Sequence, residues 1–164
     1  NTGNTGNSGN TGDSGNTGDT GDSGNTGNTG DNFPNEHDGL NWSDASSRDM
    51  TWDDATSYCL NLGGRLPTIS EIRTLIQNCP RTETGGECGV TDDCLDTVGC
   101  SNNPCYGCNH DESGKYSVFG DTYRFWSSSG ESGNPANVWY VGFDNGFVYC
   151  FGKNNNNVYV RCVK

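Results

Sequence analysis

Nine cysteines, two histidines and a run of three serines are the side chains here whose types could do chemistry. Six of the cysteines, Cys79, Cys88, Cys94, Cys100, Cys105 and Cys108, crowd into residues 79–110, a density that means either disulfides or a zinc site. Structural zinc is usually gripped by two tight Cys or His pairs, because a tetrahedral ion needs four ligands from short turns. Only Cys105-Tyr106-Gly107-Cys108, with His110 close by, has that form. Disulfides are the better reading, since the segment carries almost no aliphatic residues and needs cross-links to hold one shape. A redox role for Cys105 and Cys108 would require a strand-and-helix frame that does not surround them. Ser127, Ser128 and Ser129 would need a base, and neither His37 nor His110 lies in a nucleophile-elbow sequence. No catalytic set emerges, and the chain reads as non-enzymatic. Asp92, Asp93 and Asp96 lack the order of an EF-hand loop, so no metal site is predicted and structural calcium is the one cofactor left open.

The elements that would position these residues begin with a repeat. Residues 1–30 are ten triplets with Gly at every third position and Asn or Asp always before Thr or Ser. A collagen-like triple helix needs that spacing, because only Gly fits at the crowded axis. The stalk would be about 90 Å long at ~3.1 Å per residue, and the molecule a homotrimer. Thr5, Thr11 and their equivalents would point outward as candidate O-glycosylation sites. The absence of Pro from the repeat leaves a flexible Gly/Ser/Thr linker as the competing reading.

Residues 31–38 form a junction in which Phe33-Pro34 would pack at the domain edge, and residues 39–164 form the globular domain. Leu40 and Trp42 alternate as a short strand. Thr51 and Asp54 make a capping box before Ala55, Tyr58, Cys59 and Leu62, which fall at helical spacing. Gly63-Gly64 supply the exit, and Thr68 with Glu71 caps a second helix whose apolar positions are Ile69, Ile72, Leu75 and Ile76. The Cys-rich insertion, residues 79–110, follows. Tyr116, Val118, Tyr123 and Phe125 then alternate as strand residues. Asn145-Gly146 is a two-residue turn between strands 138–144 and 147–151. Asn154 to Asn157 turn the chain into a last strand in which Val158, Val160 and Cys162 share a face. The fold class is α+β, two short helices against a small antiparallel sheet.

Composition excludes several functions. The formal net charge is −12, and the nine Lys and Arg residues are scattered, so no nucleic-acid footprint is present. Cysteine usage places the protein in an oxidising compartment, extracellular or on a cell surface. No initiator Met, signal peptide or run of eighteen apolar residues occurs, which predicts a mature product or fragment with no membrane span.

Gly39-Leu40-Asn41-Trp42, Met50-Thr51-Trp52, Gly64-Arg65-Leu66-Pro67-Thr68, Trp126-Ser127-Ser128-Ser129, Trp139-Tyr140-Val141 and Val160-Arg161-Cys162-Val163 resemble the C-terminal domain family of the Legionella collagen-like adhesin. The helix, cysteine, Leu-Gly-Gly-Arg-Leu and second helix also look like the C-type lectin fold. That resemblance, with the helical position of Cys59, implies a Cys59–Cys162 disulfide. If the six insertion cysteines then pair among themselves, in a connectivity left open, Cys150 is left over. With the asparagine turn centred on Asn154-Asn155 it would face Tyr159. The family likeness implies a surface adhesin, with Trp126, Asn137, Trp139 and Tyr140 as candidate contacts for a glycan or another surface ligand. It also brings an expectation of sulfated-polysaccharide binding, which the scattered bases do not support. The Glu-Pro-Asn and Trp-Asn-Asp calcium motifs of C-type lectins are absent; Asn134-Pro135-Ala136 and Asp144-Asn145 only echo them. A likeness to formylglycine-generating enzymes, which use a cysteine pair, would leave Cys150 as an isolated candidate. The different-class alternative is self-assembly into an extracellular collagen-like fibre.

Overall fold

The structure, a computed structural model, describes residues 31–164. The triplet repeat, its predicted triple helix and the candidate glycosylation sites Thr5 and Thr11 lie outside the described residues. The described chain is a small α+β domain: β1 (Asn35–His37), β2 (Leu40–Trp42), α1 (Trp52–Asn61), α2 (Ile69–Arg73), a 3-10 turn (Asn103–Tyr106), β3 (Arg124–Glu131), β4 (Asn134–Gly142) and β5 (Phe147–Gly152). β1 and β2 form a hairpin, and β3-β4-β5 form an antiparallel sheet in that order.

Both helices start where their caps predict, but α2 ends at Arg73, so Leu75 and Ile76, expected within it, lie just beyond it. Thr68 accepts from the Glu71 N–H while Glu71 returns to the Thr68 N–H, the full capping box. At α1 only half of it forms: Thr51 accepts from the Asp54 N–H, but the Asp54 carboxylate takes the Thr51 hydroxyl instead of the backbone. Gly63 (φ +84°) ends α1, and Gly64 has no Cβ to collide with the Phe33 ring and the Val163 carbonyl.

The sheet is covered on both faces, and strand alternation sorts its residues between two cores. Trp126, Val138 and Tyr140 join Ala55 and Cys59 of α1, with Leu66, Val158, Val160 and Cys162. Phe125, Trp139, Val141 and Val148 join Ile69 and Ile72 of α2, with Leu75, Val90 and the insertion cysteines. Each helix therefore serves a different core.

Four disulfides form: Cys59–Cys162, Cys79–Cys108, Cys88–Cys105 and Cys94–Cys100. Cys105 and Cys108 take different partners. Cys150 is free and buried.

Three local expectations are corrected. The β4–β5 connection is four residues, 143–146, with Gly142 opposite Phe147; Phe143 is fully buried, and the loop carbonyls of Asn145 and Asp144 accept from Cys108 of the insertion and from Asp111 just after it. Tyr116, Val118 and Tyr123 are not strand residues; Ser117 makes an isolated bridge to Ile76, and β3 begins at Arg124. The last segment does not pair with β5. Its carbonyls at Val158, Val160 and Cys162 accept from the N–H groups of Met50, Ser46 and Ser43, and Tyr159 exchanges bonds with Arg124 and Trp126. The Cys59 bridge ties this segment to α1, away from β5, so Cys150 faces Trp139 and not Tyr159.

Candidate functional site

At one end of the sheet, Arg124 of β3, Gly142 of β4 and Phe147 of β5 lie in one row. A Cβ on Gly142 would strike the Phe147 ring, so glycine lets that ring lie across β4, where the Arg124 guanidinium sits 5.6 Å above its centroid. The insertion reaches this end through its 3-10 turn. Cys88–Cys105 and Cys79–Cys108 hold the turn on either side of Tyr106. The Cys108 N–H donates to the Asn145 carbonyl at 2.7 Å, and Asn145 Nδ2 donates to the Tyr106 carbonyl at 3.2 Å. Gly107 (φ +77°) makes the close approach sterically feasible, since a Cβ there would meet the Asn145 carbonyl.

These elements enclose a cleft of about 330 Å³ lined by Tyr106, Arg124, Asp144, Asn145, Phe147 and Tyr149. Tyr106 is 60% exposed and Tyr149 40%, with ring centroids 6.3 Å apart and planes tilted by 33°. Asp144 Oδ2 lies 3.6 Å from His110 Nε2, while Asp144 Oδ1 is a buried acceptor with no hydrogen-bond partner. Two exposed tyrosines, a guanidinium and a carboxylate converge on one cleft.

The contact residues expected from the sequence lie elsewhere. Trp126 and Trp139 are fully buried, Tyr140 nearly so, and the indole N–H groups donate to the Met50 and Leu95 carbonyls. Burial also pushes the Tyr140 phenol up to about 12. Asn137 is half-buried and donates its amide to Glu131. These four residues build the sheet and its attachment to the insertion. The signal for Tyr106 was its place between two cysteines: with Cys105 turned inward to its bridge, the neighbouring ring is left outside.

The serine run lies within β3 and is structural. Ser127 donates to the Trp139 carbonyl, Ser128 to the Pro67 carbonyl, and Ser129 bridges the Ile69 N–H and the Asp92 carboxylate. Cys150 donates weakly to Glu131 at 3.6 Å, and burial with the adjacent carboxylate pushes its thiol up to about 11. A thiol held neutral in this way is a poor nucleophile near neutral pH.

Asp92, Asp93 and Asp96 border a second hollow of about 460 Å³, but Asp92 Oδ1 is taken by the Ser70 N–H and Ser129 hydroxyl, and Asp96 Oδ1 by the Val98 N–H. Among the described residues, no group of three or more His, Cys, Asp or Glu side chains is placed to hold a metal ion. The buried cation in this region is Arg73, whose guanidinium donates to the Thr82, Glu83 and Val90 carbonyls and roots the insertion on α2. Burial pulls its pKa down.

Four of the nine Lys and Arg residues form ion pairs. Arg65 pairs with Glu71, Lys115 with Asp111, Arg161 with Asp121 and Lys164 with Asp31. Among the described residues, Arg48, Arg81, Arg124 and Lys153 make no ion pair.

Among the described residues, no helix is long and apolar enough to cross a membrane, which, with four disulfides, is compatible with an extracellular location. No curated protein and no solved structure matches the chain. The family model described as Lcl C-terminal domain matches residues 33–164, from the buried Phe33 to the last residue. That span takes in both cores, all four disulfides and the cleft, and the chain belongs to the Lcl C-terminal domain family.

Proposed function

We propose that this chain is a non-enzymatic, extracellular protein of adhesin type. In this reading the triplet repeat winds three copies together and displays C-type-lectin-like heads that contact glycans or another surface. The observation that carries it is the direct succession of an unbroken ten-triplet repeat and a domain of the Lcl C-terminal family. Two short helices, an antiparallel sheet and a Cys59–Cys162 clamp joining α1 to the last segment support the lectin-like part. Asp31 and Asn32 bond away from the cleft, to Lys164 and to the Leu62 carbonyl.

Three linked heads convert weak single contacts into lasting attachment, so residence on a surface rises steeply with ligand density. The test is native mass measurement of the full chain beside its residence time on glycan-coated surfaces of increasing density. A trimer whose residence lengthens with density is expected. A monomer that attaches at no density contradicts the reading, and concentration-dependent filaments without attachment would replace it with the fibre.

A further inference from the structure

We propose that the cleft between the 3-10 turn and the end of the sheet binds an uncharged sugar ring. The inference rests on the head being a contact module, and gives that module a site and a ligand chemistry. Tyr106 and Tyr149 offer open ring faces beside each other. Their positions are fixed from opposite sides, one by two disulfides and the other by β5. A rigid aromatic platform loses little conformational freedom when it is covered.

The charges choose among ligands. Among the described residues Arg124 makes no ion pair or side-chain hydrogen bond; its guanidinium rests on the Phe147 ring and lines the cleft. Asp144 lines the same cleft, its Oδ1 buried and its Oδ2 3.6 Å from His110 Nε2. A cationic ligand drawn to the tyrosine faces would meet Arg124. An anionic one would meet Asp144 and a chain of net charge −12. A wholly apolar ligand would cover both polar groups without satisfying them. What remains is an uncharged polyol with one apolar face. Its C–H face covers the tyrosines, its hydroxyl oxygens accept from Arg124, and its hydroxyl protons go to Asp144 Oδ2, the oxygen that is not buried. The cleft, about 330 Å³, is at the small end of ligand pockets (~300–1,000 Å³), suited to a sugar-sized ring and not to a folded partner.

The test is titration of the full chain with uncharged oligosaccharides of glucose, galactose and N-acetylglucosamine, with heparin as the charged arm. At least one uncharged sugar should saturate, with little dependence on salt. Tyr106→Ala and Tyr149→Ala should each weaken it roughly 3- to 10-fold, and Arg124→Gln about 10-fold. Tyr106→Phe, which keeps the ring, should bind nearly as the parent does and guards against misreading a folding defect. Unchanged binding in the alanine variants, or binding of heparin alone with steep salt dependence, overturns the site. If no uncharged sugar binds while the trimer still attaches to glycan-coated surfaces, this inference fails and the contact reading stands. If the parent attaches to no surface, both fail.

Discussion

Behind one face of the sheet, Trp126, Val138 and Tyr140 meet Ala55, Cys59 and Leu66 in a core that is hydrocarbon and aromatic apart from one bridge. Behind the other, Trp139, Val141 and Val148 meet Ile69, Ile72 and Leu75, then give way to six bridged cysteines and a buried guanidinium. The first side folds because apolar surface leaves water. The second surrounds an insertion with few aliphatic residues, so covalent loops and backbone carbonyls on Arg73 do what burial does across the sheet. Each insertion bridge is worth roughly 2–4 kcal/mol in the chain-entropy model. The candidate contact cleft lies where the two sides meet: Tyr106 comes from the cross-linked side, while Arg124, Phe147 and Tyr149 come from the sheet.

The contrast can be broken from either side. Replacing both Cys59 and Cys162 by Ala opens a loop with a sequence separation of 103 residues. It should cost up to about 4.7 kcal/mol, read as a lower midpoint in denaturant for the whole domain. Arg73→Met strands the Thr82, Glu83 and Val90 carbonyls and should cost about 3 kcal/mol. Its loss of hydrogen-exchange protection should be concentrated in residues 79–110, unlike the global effect of the first variant. Gly107→Ala puts a Cβ at φ +77° against the Asn145 carbonyl. A cost of about 2 kcal/mol is expected, with displacement of Tyr106 visible as changed tyrosine signals in NMR.

The smallest effect lies on the surface near α2. The Arg65 guanidinium holds the Glu71 carboxyl below its ordinary value of 4.5. A depressed carboxylate pKa contributes stability above the unfolded value and loses it as pH falls through the folded one. Because Arg65 is half exposed, Glu71→Gln should cost under about 1 kcal/mol. The difference from the parent should vanish on acidification below the folded pKa, as followed by thermal melts across pH.

Much of the body was legible because its signals are local. Thr68 and Glu71 announced α2, Gly63-Gly64 ended α1, and the apolar spacing of Ala55 and Cys59 marked the buried face. The last segment was misread because alternation in Val158, Val160 and Cys162 says which residues are buried but not which backbone they pair with; Met50, Ser46 and Ser43 took those bonds. The aromatics chosen as contacts were large and near loops in sequence, yet period two sent Trp126 and Tyr140 into one core and Trp139 into the other. Tyr106 and Arg124 are 18 positions apart in numbering, and the docking of the insertion on Asn145 brings them to one cleft.

The division of labour across the sheet is tested most directly by hydrogen exchange on the full chain in a mild reductant without denaturant, with alkylation mapping of the opened bridges. Cys94–Cys100 and Cys79–Cys108, each with one half-buried cysteine, should open first, followed by Cys88–Cys105, while Cys59–Cys162, fully buried at both ends, persists. Residues 79–110 should then lose protection while α1, β4 and the last segment keep theirs. Simultaneous loss of protection on both sides of the sheet would contradict the account.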